Sequence, residues 1–280
     1  MTAPFIHERA YAKLNLILHV GRQRPDGLHP LCSLFASIDL ADEVHARPAD
    51  RGGDRVECPG IDHADNLATR ALEGFRQRVP GLPAMEVRIV KRIPVAAGLG
   101  GGSADAAAVL RAANREAGGP LEAAALRELA ADLGSDVPSQ VEPRHALVQG
   151  VGERVEPIEL PGLSCVLVLQ RQGLATAAVY AELDRRATGR DRLDPTPLRA
   201  LAAAGPAELA AGLANDLQPA ALALRPELED VLAGLRAAGA LGTLVSGSGP
   251  TCFGLFEHRA AAERAARGIP GALAGSLRAS

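Results

Sequence analysis

The chain has 280 residues, of which 47% are hydrophobic and 22% are charged, and its formal net charge at pH 7 is −3. This composition is typical of a globular protein with one or two domains, and it excludes an intrinsically disordered chain. The small negative charge gives no electrostatic reason for binding nucleic acid or an anionic membrane surface, so we expect neither as a partner.

The N-terminus and the cysteines indicate the compartment. Residues 1–9 lack the basic-then-apolar order of a signal peptide, and no apolar run is long enough to span a bilayer. The four cysteines are scattered without a C-x-x-C pair, which favours reduced and mostly buried thiols over a disulfide framework. We therefore expect a cytoplasmic protein.

The first ninety residues are expected to form mainly strands. Residues 12–20 alternate in hydrophobicity, and the sequence Arg24-Pro25-Asp26-Gly27 predicts a turn. The other elements predicted here are strands at residues 42–47 and 54–58 and, after Asn66, a helix at residues 67–79.

A strand, a glycine-rich loop and a helix follow one another in the middle of the chain. Residues 85–93 alternate as a strand does, and Pro94 ends the pattern. Ser103 is a favourable N-cap for an alanine-rich helix that runs to about residue 116. Further on, we predict a helix at residues 121–133, which Gly134 stops, and a strand pair within residues 145–156.

A stretch with proline and glycine at residues 157–162 marks a predicted domain boundary, which divides the chain into residues 1–158 and 159–280. Residues 165–169 have the pattern of a buried strand. The remaining predicted elements are helices at residues 176–186, 198–204, 217–238 and 259–267, a strand-loop-strand at residues 243–256, and a short tail. The predicted class is α+β, in two domains.

The segment from Pro94 to Ala107 carries most of the functional information. Four of the five residues from Gly98 to Gly102 are glycine, between a strand and a helix. Backbone N–H groups at such a helix N-terminus bind anions, phosphate in particular. The loop is not a Walker A motif because no Gly-Lys-Ser/Thr follows, and a Rossmann motif would need glycine in place of Ser103. The alternative interpretation of this segment is a flexible hinge that binds no ligand.

The lysines stand at informative positions. Only two of the 30 basic residues are lysine, Lys13 in the first strand and Lys91 at the end of the strand before the loop. Lysine and arginine are not equivalent where a compact charge is needed, so these two positions indicate a function. Two surface lysines left by chance are the alternative.

The glycine loop resembles the second motif of the GHMP kinases (galactokinase, homoserine kinase, mevalonate kinase, phosphomevalonate kinase). Other segments match motifs of the same family, in the same order and over nearly the whole chain. They are Ala12-Lys13-Leu14-Asn15-Leu16, Asp26-Gly27-Leu28-His29, Asp65-Asn66-Leu67, Gly134-Ser135-Asp136-Val137-Pro138, Gly150-Val151-Gly152-Glu153, Asn215-Asp216-Leu217 and Ser246-Gly247-Ser248-Gly249-Pro250-Thr251-Cys252-Phe253.

The resemblance implies the two-domain GHMP kinase fold. Residues 1–158 would form an N-terminal ribosomal-protein-S5-like nucleotide domain and residues 159–280 a C-terminal ferredoxin-like α/β domain, with the active site in the cleft between them. The triple glycine and the ending Ser-x-Asp-Ala-Ala are similar to one branch of the family. That branch uses ATP and Mg²⁺ to phosphorylate the 2-hydroxyl of a cytidine-diphosphate-linked methylerythritol in non-mevalonate isoprenoid biosynthesis.

The resemblance also implies roles for individual residues. Asp136 would accept the proton of the substrate hydroxyl, and Lys13 would neutralise the negative charge that develops there; both are the catalytic candidates. The hydroxyl of Ser103 would hold Mg²⁺ or a phosphate oxygen, or only cap the helix. The nucleotide-binding candidates are Asn66, Lys91, Pro94, Gly98, Leu99, Gly100, Gly101, Gly102 and Ser103.

Substrate recognition departs from the family at one position. His29 would read the edge of the cytosine, but Leu28 stands where the family has an aromatic residue that stacks on the base. Tyr180 would stack on the other face. The substrate-binding candidates are Asn15, Leu28, His29, Asp136, Tyr180, Gly247 and Gly249.

Two other functions are compatible with the fold that the resemblance implies. The chain could be another GHMP kinase, such as homoserine kinase, although the triple glycine and the Asp-Gly-Leu-His segment argue against it. It could also be a nucleotide-binding regulator without catalysis, although Lys13 and Asp136 are both present. We expect a monomer or a weak homodimer.

Overall fold

The fold is taken from a computed structural model, which describes residues 4–61 and 66–279. It comprises two compact units, each assembled from separate segments of the chain. Unit 1 consists of Met1–Ala12, Leu40–Ile93 and Gly100–Pro143, and unit 2 of Lys13–Asp39, Pro94–Leu99 and Arg144–Ser280. The predicted boundary after residue 158 stays a prediction. Asp65, which belongs to one of the motifs above, lies outside the described residues.

Two long strands contribute residues to both units. They are β1 (Ile6–Val20) and β2 (Leu31–Pro48). The other strands of unit 1 are β3 (Arg55–Glu57) and β4 (Met85–Val90), and its helices are α1 (Leu67–Arg78), α2 (Gly101–Glu116), α3 (Ala123–Ala131) and α4 (Val137–Gln140).

In unit 1, helices cover one face of a small sheet. Strand β4 pairs antiparallel with β2, from Val90 opposite Glu43 to Met85 opposite Pro48, and parallel with β3. The alanine-rich face of α2 packs on α1, because small side chains let two helices approach closely. Buried Phe75, Leu72 and Met85 fill the core between them.

Unit 2 contains the remaining elements. The strands are β5 (Ala146–Gly150), β6 (Arg154–Pro157), β7 (Ser164–Val168), β8 (Ala214–Asn215), β9 (Gly242–Val245), β10 (Cys252–Phe256) and β11 (Ala272–Ser276). The helices are α5 (Thr176–Arg186), α6 (Thr196–Ala202), α7 (Pro206–Ala211), α8 (Gln218–Leu224), α9 (Leu228–Ala237) and α10 (Arg259–Gly268).

Two sets of paired strands organise unit 2. The first half of β2 pairs antiparallel with β5, which pairs with β6, and β8 pairs parallel with β1 at Ile17 and Leu18. A separate four-stranded antiparallel sheet has the order β11-β7-β10-β9. Helices α9 and α10 pack on this sheet, with Leu232, Leu235 and Ala262 in the buried core.

The structure confirms the α+β class and most of the predicted elements, corrects one predicted helix and adds elements that were not predicted. The helix predicted over residues 217–238 is two helices, because Pro226 disfavours the helical conformation of Arg225 and cannot donate a backbone hydrogen bond. The tail contains strand β11, whose alanine and glycine give a weak strand signal. The first half of β2 was not predicted as a strand. Nearly all of it is buried, so its sequence does not alternate between apolar and polar residues.

All four cysteines are free and buried, as predicted. Among the described residues, no helix is long and apolar enough to cross a membrane.

Candidate functional site

The glycine loop leads directly into helix α2. Gly98 and Gly100 both have positive φ, a backbone conformation that glycine adopts at little cost. Gly100 is the N-cap, and the helix begins at Gly101. The prediction that Ser103 caps the helix is therefore wrong: Ser103 lies in the first turn, because Gly100 already turns the chain into the helix. The Ser103 hydroxyl therefore belongs to the same turn as the backbone N–H groups that have no acceptor within the helix.

Two glycines of the loop stand where a side chain would not fit. A Cβ at Gly101 would lie 2.8 Å from Cγ2 of Ile93 and 3.4 Å from Nζ of Lys91. A Cβ at Gly98 would meet the carbonyl oxygen of Ser246 and lie 2.8 Å from that of Gly249. Close packing therefore requires glycine at both positions, independently of any ligand.

Lys91 lies between two buried carboxylates of unit 1. Its Nζ donates to Oδ2 of Asp42 at 2.5 Å and to Oδ2 of Asp105 at 2.6 Å. The other oxygen of Asp42, Oδ1, accepts from the backbone N–H groups of Arg92 and Ile93. Asp42 thereby fixes the chain just after β4. Asp105 connects Lys91 to the first turns of α2.

The Asp42–Lys91–Asp105 cluster holds one cation against two carboxylates. Burial, opposed by Lys91 and assisted by Asp42, raises the pKa of Asp105 to about 7. Burial disfavours the charged form of Lys91, but Asp105 and Asp42 outweigh it, and the pKa of Lys91 is raised. Oδ1 of Asp105 is buried without a hydrogen-bond partner. The cluster therefore retains an additional proton near neutral pH.

Sequence reasoning missed Asp42 and Asp105. The signal for Asp105 was present, since an acidic residue among the buried alanines of α2 needs a cationic partner. Asp42 gave no such signal, because it begins a predicted strand of mixed polar and apolar residues and nothing in the sequence marks it as buried.

Asn66 and Asp136 begin helices of unit 1. The side-chain oxygen of Asn66 accepts from the N–H of Ala68 and caps α1. Asp136 is half-buried at the N-cap of α4, and its backbone carbonyl accepts from the hydroxyl of Ser139. The carboxylate thus lies at the N-terminal end of a single helical turn.

Lys13 and Asn15 form a buried polar pair in unit 2. Nζ of Lys13 donates to Oδ1 of Asn15 at 2.5 Å, and Nδ2 of Asn15 donates to the hydroxyl of Ser33 at 3.0 Å. The ammonium also lies 4.8 Å from the ring centroid of Phe35. Both side chains are almost fully buried, which fixes the direction of the charge.

The second glycine-rich loop, residues 246–250, lies against this pair. A Cβ at Gly247 would be 3.1 Å from Oδ1 of Asn15 and 3.5 Å from Nζ of Lys13. The hydroxyl of Ser246 donates to the carbonyl of Gly98, and the N–H of Lys13 donates to the carbonyl of buried Leu99. Unit 2 thus brings together the first strand and parts of both glycine loops.

Asn215 and Thr176 support the second loop, and neither was among the predicted site residues. Nδ2 of Asn215 donates to the carbonyls of Val245 and Gly247 at 2.8 Å each. The hydroxyls of Thr176 and Ser248 are 2.9 Å apart and connect α5 to the loop. The Asn-Asp-Leu motif was noticed in the sequence, but its contact with a loop 30 residues away required the fold.

His29 and Tyr180 lie together elsewhere in unit 2. Their ring centroids are 4.9 Å apart, and Nε2 of His29 is 2.9 Å from Oδ1 of Asp184. The side chain of His29 is only 6% exposed, whereas Leu28 beside it is 48% exposed. The remaining candidates are half-buried Pro94, buried Gly249 and exposed Gly102. The ligand roles predicted for these residues stay predictions.

Among residues 4–61 and 66–279, no group of three or more His, Cys, Asp or Glu is arranged to hold a metal ion. Magnesium in kinases is commonly held by substrate phosphates and one or two protein oxygens, and the hydroxyl of Ser103 is of a kind that fits this.

Comparison with known families and proteins extends these observations. Residues 66–142 match the GHMP kinases N terminal domain, and residues 198–274 match the GHMP kinases C terminal family. A 4-diphosphocytidyl-2-C-methyl-D-erythritol kinase of Streptomyces coelicolor is 45% identical, over 97% of this chain and 92% of the relative. A kinase of the same name from Anaeromyxobacter sp. is also 45% identical, over 93% and 85%.

Solved structures give a similar result. A crystal structure of 4-(cytidine 5'-diphospho)-2C-methyl-D-erythritol kinase superposes with a TM-score of 0.83 at 36% identity, covering 98% of this chain and 100% of the other. A homoserine kinase of Cytophaga hutchinsonii has a TM-score of 0.67 at 19% identity, covering 100% and 96%, a similarity of fold alone.

Proposed function

Because this chain belongs to the GHMP kinases, among the 4-diphosphocytidyl-2-C-methyl-D-erythritol kinases, we propose that it transfers the γ-phosphoryl group of ATP to the 2-hydroxyl of that cytidyl compound. The observation that carries the proposal is the buried pair Lys13 and Asn15 against the loop at Gly247. A fixed cation beside a glycine-rich loop is what phosphoryl transfer needs, since its catalysis is mainly positioning and charge stabilisation.

Lys13 stabilises the reacting hydroxyl in this mechanism. Its ammonium is held by Asn15, which is held in turn by Ser33, so it approaches the acceptor without reorganisation. A positive charge next to the hydroxyl lowers the pKa of that hydroxyl and stabilises the alkoxide character that develops as the phosphoryl group transfers.

Asp136 accepts the proton of the hydroxyl. A carboxylate is sufficient for this role because proton transfer comes late, when the oxygen has already begun to bond to phosphorus. The half-buried position at the start of α4 holds the carboxylate on a rigid element. Its action together with Lys13 is part of the proposal.

The N-terminus of α2 binds the phosphates of ATP. The N–H groups from Gly100 to Ser103 have no helical acceptor and could donate to a phosphate, with the helix dipole favouring negative charge. Bound Mg²⁺ would neutralise charge on the transferring phosphate, and we assign the Ser103 hydroxyl as its protein ligand. Lys91, which follows β4 before the glycine loop, and Asn66, at the N-cap of α1, complete the proposed nucleotide site.

The cytidine group is recognised by His29 and Tyr180. The two rings contact each other, so the base would meet a polar and an aromatic group whose orientations are already fixed. Exposed Leu28 offers an apolar contact in place of a second aromatic ring. We further propose that the protein is cytoplasmic and is a monomer or a weak homodimer.

The test is a coupled assay for ADP with MgATP and a panel of acceptors. We expect ADP with 4-diphosphocytidyl-2-C-methyl-D-erythritol and none above background with homoserine or mevalonate. ADP with homoserine alone would replace the proposal with homoserine kinase activity. Tight ATP binding without ADP from any acceptor would favour a regulator without catalysis.

A further inference from the structure

Asp184 contacts the residue proposed to read the base. It lies on α5, four residues after Tyr180, so both side chains are on the same face of the helix. Oδ1 of Asp184 is 2.9 Å from Nε2 of His29, whose ring is 6% exposed and packs on Tyr180. A single helix therefore supplies both neighbours of the His29 ring.

A closed turn precedes His29. The N–H of Arg24 donates to the carbonyl of Leu28, and the N–H of Leu28 donates to Oδ1 of Asp26, which closes the turn before the histidine. The contacts with Asp184 and Tyr180 define the position of the His29 ring. What remains is which of its two nitrogens carries the proton. Within the described part of the chain, Nδ1 of His29 has no hydrogen-bond partner.

The contact with Asp184 determines that pattern. A carboxylate accepts hydrogen bonds and does not donate them, so Nε2 must carry a proton. In a neutral imidazole, Nδ1 is then an acceptor with a lone pair. The 4-amino group of cytosine is a donor, whereas the corresponding 4-oxo group of uracil is an acceptor. An acceptor at Nδ1 therefore binds cytosine and opposes uracil.

We infer that Asp184 is a specificity-determining residue: by holding the proton of His29 on Nε2, it makes the base site select cytosine over uracil. The inference rests on the proposed function, since it takes His29 as the residue that meets the base. It adds a positioning residue that no sequence motif indicated. Sites built on a fixed hydrogen-bond pattern reject the wrong partner strongly, because the mismatch leaves polar groups unpaired.

The test compares cytidine and uridine forms of the acceptor. In the wild-type protein, kcat/KM is expected to favour the cytidine form by about 100-fold or more. In Asp184→Asn the amide can donate to Nε2 and move the proton to Nδ1, so the preference should fall by about tenfold or more. The loss should be in KM for the acceptor, with kcat at saturation and KM for ATP nearly unchanged.

Three further variants separate this role from a structural one. Glu182→Gln, on the same helix, changes a carboxylate that binds Arg185 and Arg186, and it should leave the preference unchanged. Asp184→Glu keeps the carboxylate and should restore part of the preference. His29→Ala should remove the preference, and adding Asp184→Asn to it should have no further effect.

Equilibrium binding of CDP and UDP to the same variants makes the result independent of turnover. If the wild-type protein turns over the cytidyl acceptor but Asp184→Asn retains its full preference for CDP, the inference about Asp184 is wrong and the kinase function stands. If the wild-type protein has no turnover and binds CDP and UDP equally, both fail. A lower melting temperature with an unchanged preference would assign Asp184 a structural role only.

Discussion

At the scale of single residues, the buried carboxyl group of Asp105 in unit 1 has the clearest consequence for the stability of the fold. Asp105 has a pKa raised to about 7, chiefly by burial, against an ordinary value of 3.8. Between these two values the unfolded chain has lost the proton that the folded chain keeps. Folded stability therefore falls as the pH rises through this window, and the full cost is present above pH 7.

Replacing Asp105 with asparagine should remove this pH dependence. Near pH 5 Asp105 is neutral only in the folded protein, so the variant should already be slightly more stable than the wild-type protein. Between pH 5 and 8.5 this advantage of the variant should grow by on the order of 3 kcal/mol. Urea unfolding between pH 5 and 8.5 measures the difference. Asp26→Asn, at an exposed turn, is the control, and equal pH profiles for Asp105→Asn and wild type would contradict the prediction.

Asp136 gives the corresponding prediction for catalysis. Asp136→Asn keeps the size of the side chain but removes the proton acceptor, so kcat should fall by about two to four orders of magnitude. The Kd for ATP should be unchanged, because the proposed nucleotide site is made by the α2 terminus. Single-turnover kinetics and calorimetry measure the two quantities. Turnover within threefold of wild type would exclude Asp136 as the base.

At the scale of elements, the glycine loop combines backbone conformation with close packing. Gly98 has a φ of +77° and no room for a Cβ next to the carbonyl of Ser246. Gly98→Ala should therefore destabilise the protein by on the order of 3 kcal/mol, from strain and steric overlap together. Gly53→Ala is the matched control, since Gly53 has ordinary φ and open space around it. Equal melting temperatures for the two variants would contradict this account of the loop.

The same loop shows what sequence can and cannot predict about elements. The order strand, glycines, helix was predicted because each step has a local signal, such as Pro94 and the alanine run. The N-cap of α2 was misplaced by three residues, because Ser103 is a good cap by residue type while Gly100 is the one with the required backbone conformation. The break at Pro226 was missed because apolar spacing continued across it.

At the scale of the whole molecule, motif order over the chain predicted the family and the fold class. Contacts between distant segments were not predictable in the same way. Asn215 holds the loop at Gly247, and Asp184 meets His29 across 155 residues, and neither pair has a local signal. The candidate site was thus predicted where it lies in motifs and missed where folding alone brings its supporting residues together.

The most direct test of the central claim is the structure of the reaction product. Wild-type protein is incubated with MgATP and 4-diphosphocytidyl-2-C-methyl-D-erythritol, and the product is analysed by ³¹P and ¹³C NMR. We predict one new phosphomonoester, coupled to the carbon that bears the 2-hydroxyl, in amounts equal to the ADP formed. ADP without that phosphomonoester, or a phosphate on another hydroxyl, would contradict the proposed function.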